Sequence, residues 1–182
     1  MQDGTFRIEN KLQFDLSKGV ATSDNAQALV LVPATIMSRL LGELPADVAS
    51  KTMRAFGHEL GDRGRSRLSS PSHVTMENVL GELAVEFASA GLGMLSFERW
   101  GRALVVVLAN GPIQGVHAAA LVEGAMSGIS GRAVIGARLH DEAGTTRVLL
   151  TSQKGADRVD ALLKSGMSWG NALVELQKGS AS

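Results

Sequence analysis

Residues 53–68, MRAFGHELGDRGRSRL, carry the pattern that decides the fold. Apolar residues and glycines recur there every three or four positions, which is the period of one helix face. That face comprises Met53, Phe56, Gly57, Leu60, Gly61, Gly64 and Leu68. Glycine inside a helix costs roughly 1 kcal/mol relative to alanine. We therefore expect a helix over residues 48–68, opened by Pro45, whose glycines admit a neighbour too close for a Cβ atom.

The segments on either side of this helix predict an α+β fold of one domain. A period of two predicts a strand over residues 5–16, and a short apolar run predicts one over residues 28–32. Two hairpins are expected, with strands over residues 92–100 and 102–109 and over residues 133–140 and 146–152. Further helices are expected over residues 34–41, 76–87, 116–129, 159–163 and 168–177, with Thr75 and Ser168 as N-caps. Two hairpins imply antiparallel pairing, so the fold is an antiparallel sheet packed against long helices.

The domain is expected to span residues 1–178. Its core covers residues 28–152, residues 18–25 form a polar loop, and residues 179–182 form a frayed tail. A chain of 182 residues with 45% hydrophobic residues is long and apolar enough to bury one core.

Composition excludes several classes of function. The 18 basic residues balance the 18 acidic ones, so no basic stripe indicates nucleic-acid binding. The absence of cysteine excludes disulfides, zinc–thiolate sites and iron–sulfur clusters. The longest apolar runs, residues 28–33 and 103–109, are shorter than the roughly 18 residues that a membrane span needs. The first 15 residues lack the apolar core of a signal peptide, so we expect a cytoplasmic protein.

No catalytic, cofactor or metal site is predicted. Residues 166–170 match the G-x-S-x-G pattern of a nucleophile elbow, but no histidine follows them to act as base, and Ser168 is better explained as a helix cap. His58 and Asp62 are spaced as two metal ligands on one helix, without a third ligand nearby. Glu82 and Glu86 share a helix face, as do Arg63 and Arg67, and solvation explains both pairs. A carboxylate contact at a subunit boundary is the alternative for the arginines.

Two binding hypotheses remain. In the first, the helix face forms an interface, joined by Arg99 and Trp100 at the tip of the first hairpin, where Trp100 either folds back on the core or anchors a partner. The interface residues are then Met53, Phe56, Gly57, Leu60, Gly61, Gly64, Leu68, Arg99 and Trp100. In the second, an apolar cavity lies under the central helices, lined by Met76, Leu80, Leu83, Phe87 and Met126.

Residues 48–152 resemble the 4-vinyl-reductase-like domain superfamily, which includes the TRAPP vesicle-tethering proteins. The resemblance rests on residues 56–64 (FGHELGDRG), 79–87, 91–93 (GLG) and 121–124 (LVEG), with Gly131-Arg132 and the terminal hairpin. The layout is also similar to the small, D-type component of cellulose synthase. These resemblances imply an antiparallel sheet packed on long helices and self-association through the helices. The resemblance to the cellulose synthase component implies a ring-like oligomer that guides a polymer. They also imply, in some relatives, an apolar molecule or fatty chain in a core cavity.

Many members of this superfamily carry cysteines and histidines near the final hairpin that are thought to hold a metal. This chain lacks the cysteines, which argues against that site here. We therefore expect a non-enzymatic scaffold or adaptor that forms at least a homodimer and binds a protein partner through its helices. The alternative is a domain that binds a small apolar ligand in a core cavity.

Overall fold

The structure, a computed structural model, describes residues 12–23, 28–68 and 75–178. The helices of these ranges are α1 (Ala34–Glu43), α2 (Ala46–Arg67), α3 (Met76–Ser89), α4 (Gly115–Ser130), α5 (Gln153–Lys164) and α6 (Trp169–Lys178). The strands are β1 (Leu12–Asp15), β2 (Val20–Ser23), β3 (Ala28–Leu29), β4 (Met94–Trp100), β5 (Ala103–Ala109), β6 (Ile135–Glu142) and β7 (Thr145–Thr151). Residues 5–11 of the predicted first strand and the predicted tail 179–182 lie outside the described residues.

The predicted α+β class is confirmed. The two hairpins, β4–β5 and β6–β7, join into a four-stranded antiparallel sheet in the order β4-β5-β7-β6. Along β5, Val106 and Leu108 enter the main core, which the sheet shares with α2, α3 and α4. Val105 enters a second core, which the sheet shares with α5 and α6. This alternation follows from the period of two along a strand, so the sheet buries apolar side chains on both faces.

Helices α2 and α4 pack with their backbones in contact. A Cβ atom added at Gly57 would lie 2.9 Å from the Ala125 amide nitrogen, and one at Gly61 would lie 2.7 Å from that of Ile129. Gly124 and Gly128 of α4 meet the α2 backbone in the same way. Glycines on both helices therefore permit an approach that no other residue type would allow, as the sequence indicated for α2.

This packing corrects the predicted interface. Met53, Gly57, Leu60, Gly61 and Gly64 are buried inside the chain, and the glycines face α4 or its Ile129 side chain. The partner of the glycine face is therefore a helix of the same chain. A second copy has no access to these five residues while the fold is intact.

Three segments differ from the sequence prediction by more than a shift of about two residues at an end. Residues 20–23 of the predicted loop form β2, the middle strand of a second sheet in the order β1-β2-β3. Only residues 28–29 of the predicted strand 28–32 are paired, because Pro33 and α1 turn the chain away. Helix α5 is longer than predicted because Ser152 caps it, with its hydroxyl accepting a hydrogen bond from the Gly155 amide.

Among the described residues, none of the helices combines the length and the apolar character that crossing a bilayer requires. The expected cytoplasmic location stays a prediction.

We predict that Gly61→Ala lowers the free energy of unfolding by at least about 2 kcal/mol, because the new methyl group would overlap the α4 backbone. The measurement is urea denaturation followed by circular dichroism. Gly81→Ala is the matched control, since Gly81 lies in α3 with open space around it. That control should be neutral or stabilising by up to roughly 1 kcal/mol. Equal stability of the two variants would contradict the close α2–α4 contact.

Candidate functional site

A cavity of about 430 Å³ lies between residues 29–37, which we call the N-terminal segment, and the helices α2 and α3. Its wall is mostly apolar, with one basic and one acidic side chain. The lining residues are Leu29, Val30, Leu31, Val32, Ala34, Met37, Phe56, Arg63, Glu86, Ser89, Ala90, Gly91, Leu92 and Pro112. A concave, largely apolar space with a few polar groups is the usual form of a small-molecule site, and this volume falls in the usual range.

The outer wall consists of β3, the chain that follows it, and the start of α1. Three contacts hold this wall to the rest of the molecule. Met37 packs against the main core, and Leu41 is buried within it. The Ser38 hydroxyl donates a hydrogen bond of 3.1 Å to the Pro112 carbonyl oxygen. Val30 and Leu31 line the cavity and yet are largely exposed. The outer wall is therefore thin, with the cavity on one side and solvent on the other.

The inner wall comes from α2 and α3. Phe56 and Arg63 are seven residues apart on α2, so they lie on one side of the helix, two turns from each other. From α3, Glu86 and Ser89 lie one turn apart at the end of the helix. Gly91 follows with φ +68°, which ends α3 and leads the chain into Leu92.

The charged end of the cavity is a cluster of two arginines and two glutamates. Glu86 Oε2 lies 3.0 Å from Arg63 Nη2, and Glu86 Oε1 accepts a hydrogen bond from Arg67 Nη2. Arg67 Nε donates a second hydrogen bond, of 2.9 Å, to Glu82 Oε2. The four formal charges sum to zero, and the Glu86 side chain is only 6% exposed. The cluster joins α2 to α3 and fixes both arginines.

Burial is the largest single influence on Arg67 and disfavours its charged form. The hydrogen bonds to Glu82 and Glu86, together with the negative charges of both glutamates, outweigh burial and raise the pKa of the guanidinium. Arg63 differs, because its Nε is buried without a hydrogen-bond partner in the described part of the chain. An unsatisfied buried donor costs about 1–3 kcal/mol. Arg63 lines the cavity, but its Nε is covered by the protein and is not accessible from the cavity.

The predicted cavity residues do not form this site. Leu83, Phe87 and Met126 are packed in the main core and at most 5% exposed, and Leu80 is half-buried. Met76 is 45% exposed at the start of α3. The prediction placed the cavity under the helix stripe, but close packing fills that space. The cavity lies where the N-terminal segment meets α2 and α3.

Two residues of the predicted interface take other places. Phe56 lines the cavity, and Leu68 packs against the main core. Arg99 is exposed on β4. For these residues, association with a partner stays a prediction.

Trp100 folds back onto the C-terminal helix α6. Its ring meets that of Trp169 edge to face, with centroids 4.9 Å apart, and its indole Nε1–H donates a hydrogen bond of 3.0 Å to Glu98. Arg147 pairs with the same glutamate and lies 5.3 Å from the Trp169 ring centroid. Gln177 donates a side-chain hydrogen bond to the Trp100 carbonyl oxygen. These contacts favour the alternative in which Trp100 attaches the hairpin tip to the fold.

The predicted helix cap at Ser168 is confirmed, since its hydroxyl accepts a hydrogen bond of 3.4 Å from the Asn171 amide. His58 pairs with Asp62 at 3.0 Å on the exposed side of α2. His117 and His140 lie on α4 and β6, apart from that pair. Within the described ranges, no three acidic or histidine side chains are grouped as a metal site would require.

Sequence reasoning missed the outer wall and the charged cluster. The signal for the wall was the apolar run 28–32, which predicted a strand leading into Pro33. The signal for the cluster was Arg63 and Arg67 on one helix, with Glu82 and Glu86 at the same spacing on the next. Complementary pairs on consecutive helices predict an ion-pair cluster once the helices are known to be neighbours.

Comparisons with known proteins find a similarity of fold to a solved structure. No protein-family model matches the chain, and no curated protein sequence matches it. The chain is similar to a solved structure described as the phenol-responsive sensory domain of the transcription activator PoxR with phenol. That similarity has a TM-score of 0.59 and 13% sequence identity, and it covers 91% of each chain. At this identity the similarity shows the fold alone.

We predict that Glu86→Gln lowers the free energy of unfolding by about 3 kcal/mol, the lower end for breaking a buried ion pair, because both arginines keep some contact with water. Thermal and urea denaturation measure the loss. Asp160→Asn is the control, since it breaks an exposed pair with Lys164 and should cost no more than about 0.5 kcal/mol. Similar losses in both variants would contradict a structural role for the cluster.

Proposed function

We propose that this protein is a sensory or carrier domain that binds a small, mainly apolar molecule. The observation that carries the proposal is the cavity of about 430 Å³ between the N-terminal segment and α2–α3. Its apolar wall supplies the hydrophobic contact that a small ligand needs for affinity. Its one charged end supplies a polar group for orientation.

The similarity to the PoxR sensory domain supports this proposal. The neighbour's description says that it responds to phenol and was solved with phenol, so small-molecule sensing occurs on this arrangement of helices and strands. Fold similarity by itself does not convey function. The cavity, observed independently in this chain, provides the place where such a ligand would bind.

Ligand binding would couple the two walls of the cavity. A molecule inside it would contact Val30 and Val32 on the outer wall and Phe56 on the inner wall. A ligand that touches both walls stabilises the conformation in which they are docked together. The output of such a sensor would then be the position of α1 and of the chain before it.

We propose binding without turnover. The polar side chains on the cavity wall are Arg63, Glu86 and Ser89. Both Glu86 oxygens already contact arginines, and the Ser89 hydroxyl donates to the Val85 carbonyl oxygen. None of the three provides a nucleophile activated by a base, which covalent catalysis requires. We assign no cofactor to the site.

We predict that phenol binds the wild-type protein and that Ser89→Phe abolishes binding, because the larger ring occupies the cavity. Isothermal titration calorimetry with phenol is the measurement, and circular dichroism verifies that the variant is folded. Ala88→Phe adds the same ring on the exposed side of α3 and should leave binding unchanged. Loss of binding in both variants, or in neither, would contradict the location of the site.

Self-association is a second candidate function, and an exposed apolar surface favours it. We call this surface the N-terminal apolar patch. It comprises Val30, Leu31, Val32, Ile36, Leu40, Leu44 and Val48, each at least 36% exposed. These residues all lie between positions 30 and 48, and exposed apolar side chains concentrated in one segment are typical of interaction surfaces. We propose that a second copy of this chain covers the patch, giving the expected homodimer a contact surface other than the glycine face.

The patch and the cavity share one segment, since Val30, Leu31 and Val32 belong to both. Association through the patch would cover the thin outer wall of the cavity. The oligomeric and ligand-binding hypotheses are therefore compatible, and binding of a ligand would influence assembly. The protein partner expected from the sequence stays a prediction.

We predict that the wild-type protein is at least a dimer and that Leu40→Glu shifts it to a monomer without unfolding, because a carboxylate would be placed within an apolar contact. Native mass spectrometry measures the mass. Val174→Glu changes a residue of similar exposure on α6 and should remain assembled. A monomeric wild type, or a Leu40→Glu variant that stays assembled, would refute this candidate.

A further inference from the structure

We propose that residues 30–43, which comprise α1 and the extended chain before it, form a gate that opens to admit and release the ligand. This inference rests on the proposed function, since the gate closes the same cavity. It goes further by naming the moving part and the two contacts that hold it closed. Three observations carry the proposal: the weak attachment of α1, the fixed walls elsewhere, and a junction about which the gate can turn.

Helix α1 is attached to the rest of the chain by few side chains. Of its ten residues, only Leu41 is buried. Met37 packs against the main core, and the Ser38 hydroxyl donates its hydrogen bond to the Pro112 carbonyl oxygen. Residues 30–33 lie beyond the last paired position of β3. Segments with so few buried apolar contacts open locally at a much smaller free-energy cost than the core of a protein.

The other walls of the cavity are fixed. Helix α2 packs against α4 through glycines of both helices, so α2 cannot move outward without breaking that contact. The ion pairs of Glu86 with Arg63 and Arg67 join α3 to α2. Leu92, which follows α3, is buried in the main core. The N-terminal segment is therefore the wall that yields when a ligand enters or leaves.

The junction between α1 and α2 allows the gate to turn. Only two residues, Leu44 and Pro45, connect these helices. Leu44 has an extended backbone, with φ −81° and ψ 148°, and Pro45 has no amide hydrogen to bond back to α1. Hinges are commonly a few residues at the ends of elements, as here. Rotation about this junction would lift Met37 away from the cavity.

A gate changes ligand exchange in a characteristic way. Opening precedes both entry and release, so weakening the closed state raises both rate constants by the same factor and leaves the dissociation constant unchanged. Leu41 and Ser38 hold α1 in place but do not line the cavity. Their side chains can therefore be shortened without removing a contact to the ligand.

The test measures the exchange of para-fluorophenol by line-shape analysis of its fluorine NMR signal. Leu41→Val shortens the buried side chain by one methylene group and should raise the association and dissociation rate constants about fourfold each. Ser38→Ala removes the hydrogen bond to Pro112 and should raise both rate constants about fivefold. In both variants the dissociation constant should remain that of the wild-type protein.

Leu173→Val is the matched control for Leu41→Val. Leu173 of α6 is 1% exposed and belongs to the second core, so this change removes a buried methylene group away from the cavity. It should lower the melting temperature and leave both rate constants at their wild-type values. Melting temperatures of the two gate variants, measured in parallel, verify that they are folded.

Hydrogen–deuterium exchange of the ligand-free wild-type protein tests opening of the gate without a probe molecule. The hydrogen-bonded amides of α1 should exchange at least about a hundredfold faster than those of α2, because α2 opens only when the core unfolds. Addition of para-fluorophenol, which would contact both walls of the cavity, should slow the exchange of α1.

The outcomes separate the two proposals. If para-fluorophenol binds but the two gate variants leave both rate constants unchanged, or raise only the dissociation rate constant, the gate is refuted and the binding function stands. The gate is also refuted if Leu173→Val raises both rate constants as much as Leu41→Val does, or if α1 exchanges as slowly as α2. If para-fluorophenol does not bind, the proposed function is refuted together with this inference.

Discussion

The backbone contact between α2 and α4 is the constraint on which the rest of the structure depends. Helix α4 lies on the sheet through β6 and β7, and α2 lies on α4 through glycines of both helices. Because the glycine face of α2 packs against α4, the other sides of α2 contact α3 and line the cavity. Phe56 and Arg63 reach the cavity wall for this reason. A larger residue at Gly57 or Gly61 would displace α2 and change the cavity with it.

The sequence predicted the framework well, because its patterns are local. The hairpin formed by residues 92–109, the N-cap at Thr75 and the helix predicted over residues 116–129 all follow from neighbouring residues, and the structure confirms them. The glycine face predicted a close neighbour, but periodicity does not reveal whether that neighbour is another copy or another helix. The spacing of Gly124 and Gly128 matches that of Gly57 and Gly61, and this match indicates that the close neighbour is helix α4 of the same chain.

The site could not be predicted in the same way, because its residues converge from four parts of the chain. Residues 29–37, α2, the end of α3 and Pro112 come together only through tertiary packing. The methionine and leucine stripe of α3 was a reasonable guess for a cavity wall. Apolar stripes usually fill the core, however, and Leu83 and Phe87 do so here. The cavity forms instead where the N-terminal segment covers the helices incompletely.

The central claim is that a small, mainly apolar molecule binds between the N-terminal segment and α2–α3. The most direct measurement is an anomalous difference map from a crystal soaked with bromophenol, in which bromine marks the bound molecule. The account predicts a bromine peak inside the cavity, between Val32 and Phe56. A crystal with bromine peaks only on the outer surface, or with none, would contradict it.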